Sequence, residues 1–169
     1  MANDMKALLQ FAHDTWLGDY TRHNSWLFTL GLVLHFIGLC LLMGGMLVID
    51  LRILGLAKRV PIGSVLAVLP VAIVGFVLNL LTGIMFFCFD PFGYWRNPAF
   101  NIKMALILIA GLNALWFTFT EHRRLAATRG GFNTSGAAKL SAAASLFLWF
   151  SVILFGRLIV AFQGSSSLF

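Results

Sequence analysis

Charged side chains are scarce in this chain, and their scarcity excludes a soluble globular fold. Only 11% of the 169 residues are Asp, Glu, Lys or Arg, whereas 60% are apolar. Soluble domains carry about 25% charged residues. Basic residues outnumber acidic ones by 12 to 6, but they cluster beside the ends of apolar stretches. That position suits membrane topology and contact with anionic lipid, so the net charge does not indicate nucleic-acid binding.

Cysteine and recognisable catalytic motifs are also scarce. Cys40 and Cys88 form neither a CxxC motif nor a zinc-ligand spacing, so we expect two buried small hydrophobes rather than a disulfide or a metal site. No nucleophile–base set or phosphate-binding loop is visible, so we expect no enzyme chemistry from this chain alone. Residues 1–24 lack a continuous apolar core, so no cleavable signal is expected.

Four long apolar stretches carry most of the chain. Each is close to the ~20 residues that a helix needs to cross the core of a bilayer. They predict an all-α fold, a four-transmembrane-helix bundle over residues 25–163 with a flexible tail at 164–169. The four predicted spans are 26–49, 64–89, 100–119 and 140–162.

The segments outside the spans have predictable roles. Residues 3–17 have apolar side chains at helical spacing, which predicts an amphipathic helix lying on the membrane interface. Gly18 is expected to end this helix, so that residues 1–24 form an interfacial helix and a linker. The segment 90–98 contains two prolines and a glycine, which predicts a turn-rich external loop.

A histidine lies deep inside the first span. His35 is about nine residues, or ~14 Å, from the span end at Trp26. An imidazole facing lipid would be costly, so we expect His35 to face a partner and to mark a functional site. It shares a helix face with Gly31, Gly38 and Gly45. Such a face permits close approach by another helix or by a flat ligand, so a packed interface and a haem or metal bound by His35 both stay open.

Three further polar residues are predicted near His35. Asn79 is expected at the same depth, where it either donates a hydrogen bond to His35 or joins a ligand site. Arg157, ~8 Å deep, either extends outward to the interface or binds an anion such as a propionate. Lys103 is expected to extend outward from the start of the third span. Together His35, Asn79, Lys103 and Arg157 predict a binding site for haem b or a quinone, opening to the external side.

A second haem ligand is not evident in the sequence. His122 is expected ~20 Å from His35 across the membrane, and His23 ~18 Å away along a continuous helix. Met85, Met104 or another subunit would therefore have to supply the second ligand.

Asp50 directly follows the first predicted span. We expect a salt bridge from its carboxylate to Arg52, or to Arg123 or Arg124 after the third span. A proton-carrying role is the alternative, which the position of Asp50 at the membrane edge disfavours.

Four segments resemble a family of small bacterial integral membrane proteins of unassigned function. The resemblance extends over about residues 25–160 and implies a four-helix inner-membrane protein with no established activity. A looser similarity exists to cytochrome b561-like and copper-resistance membrane proteins, which also place histidines in helix bundles, although this chain lacks the paired mid-helix histidines of the former. The four segments are 35–56, 97–103, 111–115 and 156–159.

These observations predict an integral subunit or anchor of a membrane complex, redox-linked, with a haem or quinone site near His35. Such a chain would be a non-catalytic subunit of an oxidoreductase complex, in contact with lipid and with other subunits or further copies of itself. Two alternatives remain open. One is a purely structural or assembly protein whose polar residues only fix helix packing, and the other is a small transporter or metal-handling protein.

The basic residues of the loops predict the orientation of the spans. Cytoplasmic loops carry an excess of Lys and Arg, and the two loops on one side hold seven of them against four on the other. The richer side is therefore predicted to be cytoplasmic in a bacterial inner membrane, with both termini outside. The richer side holds Arg52, Lys58, Arg59, Arg123, Arg124, Arg129 and Lys139; the other holds Lys6, Arg22, Arg96 and Lys103.

This orientation is testable with topology reporters. Reporter fusions at residue 60 and at residue 130 are expected to report the cytoplasm, because both positions lie in the basic loops. The measurement is the activity of a reporter pair that works on opposite sides of the membrane. An external signal from either position would contradict the orientation.

Overall fold

The computed structural model describes residues 2–56, 59–122 and 135–165, and the elements in them are helices. A single π-helical turn, Thr118–His122, continues the third long helix. We call the end of the bundle at which α6 lies the α6 end, and the opposite end, where α3 leads into α4, the α4 end. The helices are α1 (Ala2–His13), α2 (Trp16–His23), α3 (Ser25–Leu54), α4 (Ile62–Leu66), α5 (Leu69–Phe89), α6 (Pro91–Arg96), α7 (Pro98–Phe117) and α8 (Gly136–Ser165).

The predicted all-α class with four membrane spans is confirmed. The helices long and apolar enough to cross a membrane cover Ser25–Leu54, Gly63–Phe89, Pro98–Thr120 and Gly136–Phe162. A helix satisfies its own backbone hydrogen bonds, which is why apolar sequences of this length cross the hydrocarbon as helices. The predicted tail at 164–169 begins too early, because α8 continues to Ser165; its remainder lies outside the described residues.

Helix α3 is the central element of the bundle. It packs along α5 and α8, and α8 packs along α7. The described backbones of α5 and α7 stay farther apart, although the rings of Phe87 and Phe100 stack between them with centroids 5.8 Å apart. Side chains from all four long helices meet in one buried core, which consists of Leu42, Ala72, Ala110, Leu148, Trp149 and Val152.

The glycine face of α3 is a close contact with α5. A Cβ atom added to Gly38 would lie 2.7 Å from Nδ2 of Asn79, and one added to Gly45 would lie 2.8 Å from Cβ of Ala72. A Cβ atom on Gly31 would collide with Met85. The face is thus filled by the neighbouring helix along its whole length, as small residues permit in membrane bundles.

The N-terminal region differs from its prediction. The first helix ends at His13, and Thr15 begins a second helix by accepting a hydrogen bond from the backbone N–H of Gly18 at 3.3 Å. Gly18 therefore lies inside α2 rather than at a helix end. Its small size has a packing reason, because a Cβ atom there would lie 2.5 Å from the carbonyl oxygen of Cys88. Residues 1–24 are two helices and not a helix with a linker.

Arg22 joins these helices to the bundle. Its guanidinium donates hydrogen bonds to the carbonyl oxygens of His13, at 2.8 Å, and of Cys88, at 3.1 Å. Both acceptors belong to last helical turns, whose carbonyls have no partner within their own helix. The apolar side chains of Leu8 and Phe11 stay exposed on α1, as expected of a helix that lies on a membrane interface.

The segment between the second and third spans is a helix and not a turn-rich loop. Its two prolines stand at the first positions of α6 and α7, where a missing N–H costs nothing. Asp90 accepts a hydrogen bond from the N–H of Gly93 and so caps α6. Asn97 caps α7 and donates its amide to the carbonyl oxygen of Ile159 at 3.0 Å, which joins α7 to α8.

The two cysteines also differ from each other. Cys88 is buried, as predicted, whereas Cys40 is exposed on α3. The prediction for Cys40 is wrong because a span that is apolar on all sides gives no sequence signal for its buried face.

The contact at Gly38 yields a stability prediction. Gly38→Leu is expected to lower stability by about 2 kcal/mol or more, because the side chain has no space between α3 and α5. Thermal unfolding of the purified protein in detergent measures the loss. Gly44→Leu is the matched control, since Gly44 lies on the same helix with nothing within 4 Å of an added Cβ atom. Equal stability of the two variants would contradict the packing of this face.

Candidate functional site

His35 forms a hydrogen bond with a threonine on the neighbouring helix. Its Nδ1 atom lies 2.7 Å from Oγ1 of Thr82. The same Oγ1 atom lies 2.7 Å from the carbonyl oxygen of Leu78, which can only accept a hydrogen bond. If the hydroxyl donates its one proton to that carbonyl, it accepts from His35, and the imidazole proton is then on Nδ1 with a free electron pair on Nε2.

Asn79 is not the partner of His35. Its side-chain amide donates to the carbonyl oxygen of Gly75 on its own helix at 3.0 Å, and it packs against Gly38. The predicted hydrogen bond between Asn79 and His35 is therefore wrong. Thr82, which sequence reasoning missed as the partner, lies one helical turn closer to the α6 end.

The two basic residues of the predicted site point in different directions. Lys103 is half-buried, and its Nζ atom would lie 3.5 Å from a Cβ atom on Gly156, so it turns inward towards α8 instead of extending outward. Its charge is within electrostatic reach of His35. Arg157 is exposed on the surface of the bundle, in keeping with a side chain that extends to the interface. The structure thus brings Lys103 towards His35 and leaves Arg157 outside.

The glycine face of α3, which could have lain against a porphyrin, is filled by α5. Met85, a candidate second ligand, is buried against Gly31, and Met104 is exposed. Nor do the described residues contain a group of three or more His, Cys, Asp or Glu side chains placed to hold a metal ion. The side chain of His122 lies outside the described part of the structure.

A cavity opens at the α6 end of the bundle. Its volume is about 660 Å³, within the range of about 300–1,000 Å³ for small-molecule sites. It lies between the start of α3, the end of α5, α6, the start of α7 and the end of α8. Four aromatic side chains contribute to its wall together with a few polar groups. The lining residues are Phe28, Phe89, Asp90, Gly93, Tyr94, Arg96, Asn97, Pro98 and Phe162.

The polar residues of this cavity divide into two kinds. Asp90 and Asn97 are committed to the helix caps and the interhelix bond described above. Tyr94 and Arg96 form no side-chain hydrogen bond or ion pair within the described part of the chain. Burial raises the pKa of the Tyr94 phenol, and the negative charge of Asp90 adds to this effect. The hydroxyl is therefore protonated at neutral pH and available as a donor.

Aromatic rings connect the cavity with His35. Phe28, which lines the cavity, is seven residues before His35 and so lies two turns away on the same face of α3. The ring of Phe86 lies between them, with centroids 5.2 Å from Phe28 and 5.5 Å from His35. His35 thus lies beneath the cavity and not in its wall.

Comparison of the chain with family models, with curated proteins and with solved structures finds no match. The resemblance to small bacterial membrane proteins stays a prediction, and the function has to be argued from the site itself.

The bond between His35 and Thr82 can be tested through the imidazole tautomer. In ¹⁵N-histidine NMR spectra we expect the Nδ1-protonated form for His35, with the signal identified by its loss in His35→Asn. Thr82→Val should redistribute the tautomers and lower stability by about 1 kcal/mol, because the Nδ1–H loses its acceptor. Thr82→Ser keeps the hydroxyl and should keep the tautomer. An unchanged tautomer in Thr82→Val would show that the hydrogen bond does not set it.

Proposed function

We propose that this chain is an integral subunit or anchor of a redox-linked membrane complex and holds the headgroup of a quinone in the cavity at the α6 end. It would act in a bacterial cytoplasmic membrane as a non-catalytic subunit that binds and orients the quinone. The observation that carries the proposal is a cavity of about 660 Å³ with aromatic walls and the phenol of Tyr94 free to donate.

The shape and chemistry of the cavity suit a quinone headgroup. A quinone ring is flat and apolar with carbonyl oxygens at its edge, so it needs ring contacts and a hydrogen-bond donor. Phe28 and Phe89 supply the apolar contact, and Tyr94 supplies a neutral donor. The cavity lies where α6 meets the ends of the spans, a depth that a lipid-soluble molecule reaches from the bilayer.

The residues of this chain bind and position the ligand. A bound quinone would supply two-electron, two-proton redox chemistry, and the electrons would come from a partner subunit. His35 keeps an acceptor nitrogen beneath the cavity, with Lys103 nearby as a positive charge. Neither residue lines the cavity, and the ring of Phe86 lies between His35 and Phe28 in the cavity wall.

The outer surfaces of the bundle support the other partners in this proposal, which are lipid and a further membrane subunit or a second copy of the chain. Helix α7 exposes apolar side chains along most of its length, which indicates contact with lipid. Another membrane subunit, or a second copy of the chain, would cover part of such a surface in the proposed complex. The exposed side chains include Leu108, Ile109, Leu112, Leu115 and Trp116.

A purely structural role is the second candidate, and a specific observation favours it. Asn79, Thr82 and His35 all use their polar atoms in contacts within or between α3 and α5. Buried polar side chains in membrane bundles commonly fix helix packing in this way. A structural protein would need no ligand in the cavity, so a binding experiment separates the two candidates.

Quinone binding is tested with a short-tailed benzoquinone added to the purified protein. We expect saturable quenching of tryptophan fluorescence, since Trp95 is next to Tyr94 in α6. Tyr94→Phe should weaken binding about five-fold, the effect of losing one hydrogen bond worth about 1 kcal/mol. Tyr20→Phe is the matched control, because Tyr20 is the other of the two tyrosines and is exposed on α2.

Two results would contradict the proposal. One is quenching that rises linearly with quinone concentration, since it reports partition into detergent and not a site. The other is equal affinity of Tyr94→Phe and Tyr20→Phe. Either result, with a stable and correctly folded wild-type protein, would favour the structural role.

A further inference from the structure

A carboxylate is buried inside the bundle near the α4 end. Asp50 on α3 is 3% exposed, and its Oδ2 atom has no hydrogen-bond partner among the described residues. The predicted salt bridge with Arg52 is wrong, because Nε of Arg52 donates to the carbonyl oxygen of Val60 at 2.7 Å. The alternative partners Arg123 and Arg124 lie outside the described residues.

Asp50 lines a small cavity bordered by α3, α4, α5, α7 and α8, whose wall is mostly apolar with a few polar side chains. Its volume is about 70 Å³, enough for a few water molecules or for an ion that has lost most of its hydration shell. Ser145 of α8 also lines the cavity, is 4% exposed, and has no partner for its Oγ atom within the described chain. Asp50 and Ser145, on facing helices, thus line the same cavity within reach of each other, and neither Oδ2 nor Oγ has a hydrogen-bond partner of full geometry in the described chain.

The other polar side chains in the cavity wall are held in place by hydrogen bonds. Oγ of Ser141 donates to Oδ1 of Asn113 at 2.9 Å, and the amide of Asn113 donates to the carbonyl oxygen of Ser141 at 3.1 Å. The hydroxyl of Thr118 donates to the carbonyl oxygen of Ala114 at 2.8 Å. These bonds hold oxygen atoms of α7 and α8 at the cavity wall. Asp50 and Ser145 are then the polar groups of the wall that stay available to a ligand.

The charged groups around the cavity do not neutralise Asp50 in the part of the chain that the structure describes. On α3, Arg52 is turned towards Val60. On α8, Lys139 is exposed. The described side chains of α4 and α5 carry no charge, and α7 contributes Lys103 at the far end of its span. An ionised carboxylate buried without a partner costs several kcal/mol, so a positive species must accompany it.

We propose that Asp50 and Ser145 form a membrane-embedded binding site for one small monovalent cation, H⁺ or Na⁺. Carboxylate, hydroxyl and amide oxygens are the ligands that hard cations take. A divalent ion is disfavoured, because the single carboxylate would neutralise only one of its two positive charges. The site opens towards the α4 end, since the apolar core around Leu42 and Trp149 lies between it and His35.

Infrared difference spectroscopy of the protein in lipid vesicles tests this site. The probe is the carbonyl stretch of a protonated carboxyl group, which is lost when the group ionises or binds Na⁺. We expect a band that disappears with rising pH and is missing from Asp50→Asn. If Na⁺ binds, NaCl should remove the band at constant pH and choline chloride should not. If only H⁺ binds, the two salts should act alike.

A serine pair supplies the second variant and its control. Ser145→Ala should move the half-point of the transition about tenfold in H⁺ or Na⁺ activity, because the hydroxyl is placed to donate to the ionised Asp50 carboxylate or to contact the bound ion. If the site binds H⁺, the half-point of the pH titration should move to higher pH. If it binds Na⁺, half-saturation should require a higher Na⁺ concentration. Ser151→Ala on the same helix should change nothing, since Ser151 donates to the carbonyl oxygen of Phe147.

The proposal has clear points of failure. A wild-type protein with no carboxyl band that responds to pH or Na⁺ would overturn it. A band that persists in Asp50→Asn would also do so, as would a Ser145→Ala variant that behaves like Ser151→Ala. If Asp50→Asn does not fold, the wild-type titration and the two serine variants decide the question without it.

Discussion

The close contact between α3 and α5 sets the positions of the polar residues in this bundle. In a bilayer the hydrophobic effect does not drive helices together, so association depends on close packing and on bonds between helices. Glycines at seven-residue intervals let α3 approach α5, and Gly31, Gly38 and Gly45 meet Met85, Asn79 and Ala72 in turn. This antiparallel register brings Thr82 to His35. A shift by one turn would separate the imidazole from its acceptor.

Polar residues serve two different purposes in this structure, and their hydrogen bonds distinguish them. Arg22, Asn97 and Asn113 use their donors on backbone carbonyls of another helix, so they stabilise packing at the ends of the spans. Tyr94 and Asp50 line cavities; in the described chain Tyr94 forms no side-chain hydrogen bond, and Oδ2 of Asp50 has no hydrogen-bond partner. Unsatisfied polar groups are costly away from water, so these positions are where a ligand has most to contribute.

The sequence predicted the four spans well because length and apolarity alone determine which segments cross a membrane. It predicted the partner of His35 wrongly. The span ends from which depth was estimated were predicted to within one residue, but equal depth does not determine which side chains of two facing helices meet, and Asn79 and Thr82 lie only about one turn apart on α5. The glycine spacing is a better predictor of this partner. Placing Gly38 opposite a small or polar residue of α5 determines the register between the two helices. Lys103 and Arg157 could not be separated, because a span that is apolar on all sides does not reveal which face is buried.

The two cavities lie at opposite ends of one helix, and the described structure offers no polar route between them. His35 and Asp50 are fifteen residues apart on α3, about 22 Å. The residues between them are apolar or glycine, apart from Cys40, which is exposed. Cation binding at Asp50 and ligand binding in the cavity at the α6 end would therefore communicate only through movement of α3 itself. The contact with α5 limits such movement, because the glycine face leaves no space for a change of register.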